Sequence, residues 1–167
     1  MNDLYTELLV KRVTPQSAKI FKGVLIAIIV LTGLAGLLIH PFGFLFFIVF
    51  VVFAYFKLPG VDLEFEYLYV NGELDVDKIM SKTRRKRAAN YQIEKIEMLV
   101  PENSHELDYY KQNSKIKRVD FSSGEKHGNV YAMVYNGEKS QEIVLLELND
   151  IILNDIRRIA PRKVKLS

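Results

Sequence analysis

The sequence contains no cysteine and only three histidines, His40, His105 and His127. A cysteine-free chain agrees with a domain in a reducing, cytosolic compartment. Without thiolates, a zinc site would need His105, His127 and carboxylates, and their spacing matches no ligand pattern. We therefore expect exposed loop histidines and no metal. No Gly-rich phosphate loop occurs. No G-x-S-x-G elbow surrounds Ser122 and Ser123, which read as turn residues beside Gly124. The sequence thus offers no catalytic constellation, and the expectation is a non-enzyme without a cofactor. The most consequential absence is of charge: none of the 34 residues 23–56 is charged, and Lys22 and Lys57 bracket them.

As one helix those residues would be roughly 50 Å long, too long for a hydrocarbon core about 30 Å thick. The centre reads Ile39-His40-Pro41-Phe42-Gly43. Proline removes a backbone donor and glycine permits a bend, so the spacing predicts a membrane α-hairpin with its tip at residues 40–43. Its apolar arms, 23–39 and 42–56, have 17 and 15 residues, at or just below the usual span of roughly 17–25. Snorkelling of Lys22 and Lys57 would lengthen both. The competing reading is a wedge in one leaflet. A cleaved signal peptide does not fit a 22-residue leader followed by two apolar runs. Lys11, Arg12, Lys19 and Lys22 precede the first arm, Lys57 follows the second, and the tip has no Lys or Arg. The positive-inside bias then makes this an integral plasma-membrane protein with both termini cytoplasmic. Uncharged arms leave no ionisable path for transport by a single chain. Gly23/Ala27 and Thr32/Gly36 are small pairs four apart, a weak pointer to close helix contact or self-association.

The net charge of +3 resides in residues 1–60, and residues 61–167 balance to zero. Bulk charge therefore argues against a nucleic-acid binder, and we expect no nucleic-acid partner. Three segments follow: a cytoplasmic leader, 1–19; the two-helix transmembrane hairpin, 20–58; and a soluble cytoplasmic domain, 61–167. In the leader, Tyr5, Leu8, Leu9 and Val13 share one helical face, which suits an interfacial helix. A strand packed on the later domain fits equally. Thr14-Pro15 reads as N-cap and first residue of the first membrane helix.

From Asp62 the hydrophobic period becomes two. Leu63, Phe65, Tyr67 and Tyr69 face one way, Glu64 and Glu66 the other. Asn71-Gly72 predicts a two-residue hairpin that sets Tyr69 opposite Leu74 and Tyr67 opposite Val76. Glu66 would then oppose Asp77 on the solvated face. Further strands are expected near 84–90, over 92–100, 116–121, 130–135 and 143–148. A helical turn is expected near 106–111, and a longer loop around Asn136-Gly137 and Glu138–Glu142. Asn149 or Asp150 caps a final helix whose apolar stripe is Ile152, Ile156 and Ile159. Arg157 and Arg158 complement its dipole, and Pro161 ends it. Seven strands and then one amphipathic helix imply an α+β domain, a curved sheet or open barrel covered by the helix.

The stretches Phe65-Glu-Tyr-Leu-Tyr-Val-Asn-Gly-Glu-Leu-Asp-Val, Arg84-Arg-Lys-Arg, Ile93-Glu-Lys-Ile and Ile159-Ala-Pro-Arg-Lys-Val resemble bacterial pleckstrin-homology-like domains. The likeness covers residues 62–164. Leu4-Tyr-Thr-Glu-Leu-Leu-Val-Lys-Arg, the hairpin and Asp120-Phe-Ser-Ser-Gly look like a group of small Gram-positive bacterial membrane proteins of unknown function. The resemblance implies a pleckstrin-homology-like bent antiparallel sheet of about seven strands capped by a C-terminal helix. It implies no enzyme activity, and phosphoinositide binding does not carry over with it.

Two groups are candidate contact sites. Arg84, Arg85, Lys86 and Arg87, with Lys82 just upstream, form the densest charge cluster. Each basic residue near an anionic leaflet contributes about 1 kcal/mol, so the cluster could hold the domain to membrane lipids. The plainer reading is a guarded sheet edge. Tyr109-Tyr110 lies in a polar stretch and is the tyrosine pair expected to meet a protein partner. Arg162, Lys163 and Lys165 read as a solubilising tail. The sequence thus points to a membrane-anchored interaction or scaffolding module, with an anionic-lipid sensor as the alternative.

Overall fold

A computed structural model describes residues 5–125, 129–137 and 140–165. They form two compact units. The sheet unit comprises Met1–Arg12, Glu64–Lys78 and Lys86–Ser167; the helical unit comprises Val13–Leu63 and Ile79–Arg85.

The helical unit contains α1 (Gln16–Leu38) and α2 (Phe42–Lys57), the latter running into a 3₁₀ turn at Leu58–Gly60. Both helices are long and apolar enough to cross a membrane. Helix α1 reaches seven residues upstream of the apolar run, which relieves the shortness of that arm: 23 residues rise about 34 Å. It begins one residue later than expected, with Pro15 at the N-cap position. The Thr14 hydroxyl instead donates to the Val61 carbonyl at 3.5 Å. The chain reverses over residues 39–41. Gly43 is not part of the turn; it lies inside α2 against the backbone of Gly36. Glycine is needed there for close approach, since a Cβ would come within 2.3 Å of the Gly36 nitrogen.

The leader is a strand, β1 (Tyr5–Lys11), not a surface helix. It pairs antiparallel with β2 (Leu63–Val70), Tyr5 opposite Val70 and Lys11 opposite Glu64. With β3 (Glu73–Met80) and β4 (Arg84–Gln92) they make one four-stranded sheet in the order β1-β2-β3-β4. Asn71 (φ 45°) and Gly72 (φ 88°) both adopt positive φ, the geometry of the predicted two-residue turn. Phe65, Tyr67, Tyr69, Leu74 and Val76 are wholly buried, as their alternation predicts. Glu66 is not solvated as expected: it too is buried.

The second sheet contains β5 (Ile96–Pro101), β6 (Lys117–Asp120), β7 (Val130–Asn136) and β8 (Gln141–Glu147), in the order β5-β7-β8-β6. The fold therefore has eight strands in two sheets rather than about seven in one bent sheet. The eighth strand is the leader. Nor is the pairing antiparallel throughout: β6 runs parallel to β8, Val119 opposite Val144. The β7–β8 hairpin is closed on itself, Val134 opposite Ile143. β6 takes the outer edge of β8. Between β5 and β6, a 3₁₀ turn at His105–Leu107 leads into α3 (Asp108–Gln112). The loop expected around Glu138 lies partly outside the described residues.

Helix α4 (Asp150–Ile159) follows β8. Asn149 is its cap, its side-chain oxygen accepting from the Ile152 amide at 2.9 Å. Ile152, Leu153 and Ile156 are buried, while Ile159 at the end of the stripe is exposed. The tail then pairs with β5: Leu99 donates to the Lys163 carbonyl at 2.8 Å and Lys165 donates to the Leu99 carbonyl at 3.0 Å.

Candidate functional site

The basic cluster begins on the turn between β3 and β4. Ser81 (φ 49°) and Lys82 (φ 58°) are successive non-glycine residues in the left-handed region, a conformation that surrounding contacts must hold. Here the helical unit supplies them. The Ser81 amide donates to the Asp62 carbonyl at 2.8 Å, its hydroxyl donates to the Pro59 carbonyl at 3.4 Å, and Thr83 closes the turn onto Met80. The turn is thereby fastened to the foot of α2. Arg84 sets its guanidinium over the Tyr55 ring, 4.7 Å from the centroid, an attraction of about 0.5–1 kcal/mol at an exposed site. Lys57 stands in the last turn of α2, and Lys22 pairs with Asp62 at 3.4 Å. Within this unit Lys82 is exposed, so Lys22, Lys57, Lys82 and Arg84 gather where the apolar helices end. This arrangement can hold phosphate groups of an anionic surface.

The remaining cluster residues divide by task. Arg85 and Lys86 are exposed on β4. Arg87 is bonded to Asp75 of β3, whose carboxylate also accepts from Asn90 at 2.7 Å. Arg87 thus contributes to strand pairing within the sheet unit. The tyrosine pair also separates. Tyr109 is 75% exposed. Tyr110 packs against the cluster of Val100, Leu107 and Val134, and its hydroxyl donates to Glu97 at 2.6 Å. That hydrogen bond, with burial and the Glu97 charge, pushes the Tyr110 phenol up to about 12. In the tail, Lys163 donates to the Glu94 carbonyl at 2.8 Å and Lys165 pairs with Glu106 at 2.7 Å, so these cations fasten the chain end. His105 is fully exposed beside Asp108; His127 lies outside the described residues. No group of three metal-binding side chains occurs among the described residues.

Sequence reasoning missed the polar framework of the sheet unit. Arg12 donates to both the carboxylate (2.9 Å) and the carbonyl (3.2 Å) of Asp120. The other oxygen of Asp120 accepts from the amide and hydroxyl of Ser122. Ser123 gives both its amide and hydroxyl to Glu147. Both serines are buried; they are turn residues, as expected, and their hydroxyls are committed to carboxylates. Tyr67 donates to the Phe121 carbonyl at 2.7 Å and Tyr69 to Asp155 at 2.7 Å. Burial holds the phenols of Tyr67, Tyr69 and Tyr91 well above the usual tyrosine value. The partners of Arg12, Tyr67 and Tyr69 lie 54 to 108 residues away along the chain, and nothing local in the sequence marks them.

Two apolar helices spliced into the first connection of a two-sheet domain closed by a C-terminal helix define a membrane-associated PH-like protein. The chain belongs to the family described as Bacterial PH-like domain (DUF6106), which matches residues 2–166. Among curated proteins and solved structures, none matches it.

Proposed function

We propose that this is an integral plasma-membrane protein with both termini cytoplasmic, whose helical hairpin holds the PH-like domain at the inner membrane face as a non-enzymatic interaction module. There it recruits or regulates a protein partner, or self-associates. The observation that supports this best is the place of the hairpin. Strands β1 and β2 are direct neighbours, Lys11 opposite Glu64, and both membrane helices lie in the connection between them. Anchor and domain are therefore a single covalent design, attached through two adjacent strands. Crosslinking in intact membranes followed by mass spectrometry tests the reading. Reproducible attachment of a foreign protein near Tyr109 or residues 84–87 is expected; capture of lipid alone would sink it. Orientation is checked separately with His40→Cys and Thr83→Cys. In intact cells an impermeant maleimide should label the first and spare the second, and the reverse pattern would invert the topology.

A second reading, an anionic-lipid contact, is favoured by the turn carrying Lys82 and Arg84 at the foot of α2. Residues 60–167 alone would lack β1, so the full chain in nanodiscs is the proper material. With bimane on Thr83→Cys, spin-labelled phosphatidylglycerol should quench more than spin-labelled phosphatidylcholine. The difference should fade at about 1 M salt and in Arg84/Arg85/Arg87→Ala. A triple variant that keeps the wild-type difference would remove the lipid role.

A further inference from the structure

The sheet unit has a second feature that the anchoring role does not use. β4 is the last strand of its sheet and β6 the last of the other. A groove of about 480 Å³ is lined by residues of both, 88–92 of β4 and Lys117 and Val119 of β6. Its floor is aromatic: Phe121 lines it together with Tyr91 and Tyr135, whose rings meet edge to face at 4.9 Å. Among the described residues each of these strands has one strand neighbour, so each offers a row of backbone donors and acceptors along its other side.

The sheet edges are not treated alike. The outer edge of β5 is covered by the chain's own tail, bonded on both sides of Leu99. The start of β4 is guarded by Arg85, Lys86 and Arg87, the usual protection against edge-to-edge pairing. The stretch Ala88-Ala89-Asn90 that lines the groove carries no charge, no proline and two of the smallest side chains, so another backbone can approach closely. The cations Lys95 and Lys117 line the same groove, Lys117 paired at 3.3 Å with the one carboxylate there, Glu142, and Lys86 precedes it on β4. The local charge is positive although the domain as a whole is neutral.

We propose that this groove receives an extended acidic peptide segment of a partner protein, added as a strand along β4. Backbone hydrogen bonds to the edge would supply affinity, alternate side chains would rest on the aromatic floor, and acidic ones would meet Lys95 and Lys117. The proposal rests on the interaction-module reading and names the surface and the chemistry of its partner.

The test uses the full chain in nanodiscs and a fluorescein-labelled peptide of four Glu-Val repeats, with Lys-Val and Glu-Pro repeats as controls. Saturable binding of the Glu-Val peptide is expected, with amide hydrogen-exchange protection confined to residues 88–92 and 117–120. Lys95→Glu/Lys117→Glu, both exposed substitutions, should weaken it at least tenfold and favour the Lys-Val peptide. The Glu-Pro peptide, unable to form the ladder, should not bind. Absence of saturable binding, protection elsewhere, or equal binding of the Glu-Pro peptide would overturn the proposal. So would Ala88→Cys forming interchain disulfides without peptide, because the groove would then belong to a second copy. Failure here with a foreign protein still crosslinked at Tyr109 would remove the groove and leave the interaction module standing; loss of both would remove the module.

Discussion

The two units use the same apolar residues under opposite rules. In the helical unit Phe, Val, Leu and Ile point outward along both helices, and only Leu25, Gly36 and Ala54 are buried. The helices meet through glycine: a Cβ on Gly43 would collide with the Gly36 backbone, and one on Gly33 would touch the Phe47 ring at 3.2 Å. In the sheet unit the large side chains are inside, and Tyr67 and Tyr69 are wholly buried with their hydroxyls bonded. The difference is the one that lipid around the proposed membrane hairpin and water around the sheet unit would impose. Lipid tails give no gain for burying leucine on leucine, so close backbone packing must hold helices together. Water drives burial of apolar area at about 25 cal/mol per Å², and the polar ends carried inside must find partners.

Alkaline pH should separate the units most sharply. The buried Tyr67, Tyr69 and Tyr91 hold their protons above the ordinary value of 10, and all three belong to the sheet unit. Below that value both folded and unfolded states are neutral and the groups do not affect stability's pH dependence. As pH rises through it, the unfolded tyrosines ionise while the folded ones do not, and stability falls until the folded values are reached. At about pH 11 each costs the fold about 1.4 kcal/mol, together roughly 4 kcal/mol. Near-ultraviolet circular dichroism of the full chain in nanodiscs should show the sheet unit melting while far-ultraviolet helix signal persists. Coincident loss of both signals would mean that the units unfold as one.

Breaking the helical unit needs only one residue. Gly43→Leu should open the hairpin at a cost of about 3 kcal/mol, because the obstacle is backbone and cannot move aside. Gly23→Leu, in the same helix pair with no atom within 4 Å of its added Cβ, should be silent. Disulfide formation between Leu25→Cys and Ala54→Cys, buried residues of the two helices, reports helix pairing: it should disappear with the first substitution and survive the second. Equal crosslinking in both would show that glycine packing does not hold the hairpin.

Tyr69→Phe sharpens the contrast from the other side. It removes the hydroxyl bonded to Asp155, whose carboxylate is 6% exposed. Leaving that carboxylate with fewer partners costs about 2 kcal/mol. Tyr55→Phe on the outer face of α2 keeps the ring over which Arg84 sits and should stay within about 0.5 kcal/mol. Thermal unfolding of the two variants compares them directly.

How much of this was legible depends on where each signal resides. Residues 23–56 declared the hairpin because solvent selects composition along a continuous stretch, and Pro41 marked the reversal. The Asn71-Gly72 turn was legible because its positive φ values demand those residues. β1 misled: Tyr5, Leu8 and Leu9 fit a helical period, yet the strand leaves Tyr5 and Leu9 exposed on the face opposite Leu8, and its partner strand lies on the far side of the hairpin. Strand β6 was legible, found at Lys117–Asp120 within the expected 116–121, but its parallel pairing with β8 left no trace in the sequence. At the site, the charge run was visible, but its division was not. Arg84 engages Tyr55 and Arg87 engages Asp75, and those contacts exist only after the turn folds. Glu66 misled because strand alternation assumes that one face is wet.

The smallest effect bears on which tyrosine can serve a partner. Tyr110→Phe loses the hydroxyl bonded to Glu97 at the edge of the second sheet, and a charge-assisted bond of limited burial is worth about 1 kcal/mol. Tyr109 has a T-shaped contact with Tyr110 but stands 75% exposed, so Tyr109→Ala should change stability by less than about 0.5 kcal/mol. A surface residue that costs the fold so little is free to be spent on binding. If Tyr109→Ala abolishes capture of a partner in membranes while its melting curve overlies the wild type, the exposed ring is part of the interaction surface. If capture is unchanged while Lys95→Glu/Lys117→Glu abolishes it, the partner is held at the β4 edge, and Tyr109 has no part in recognition.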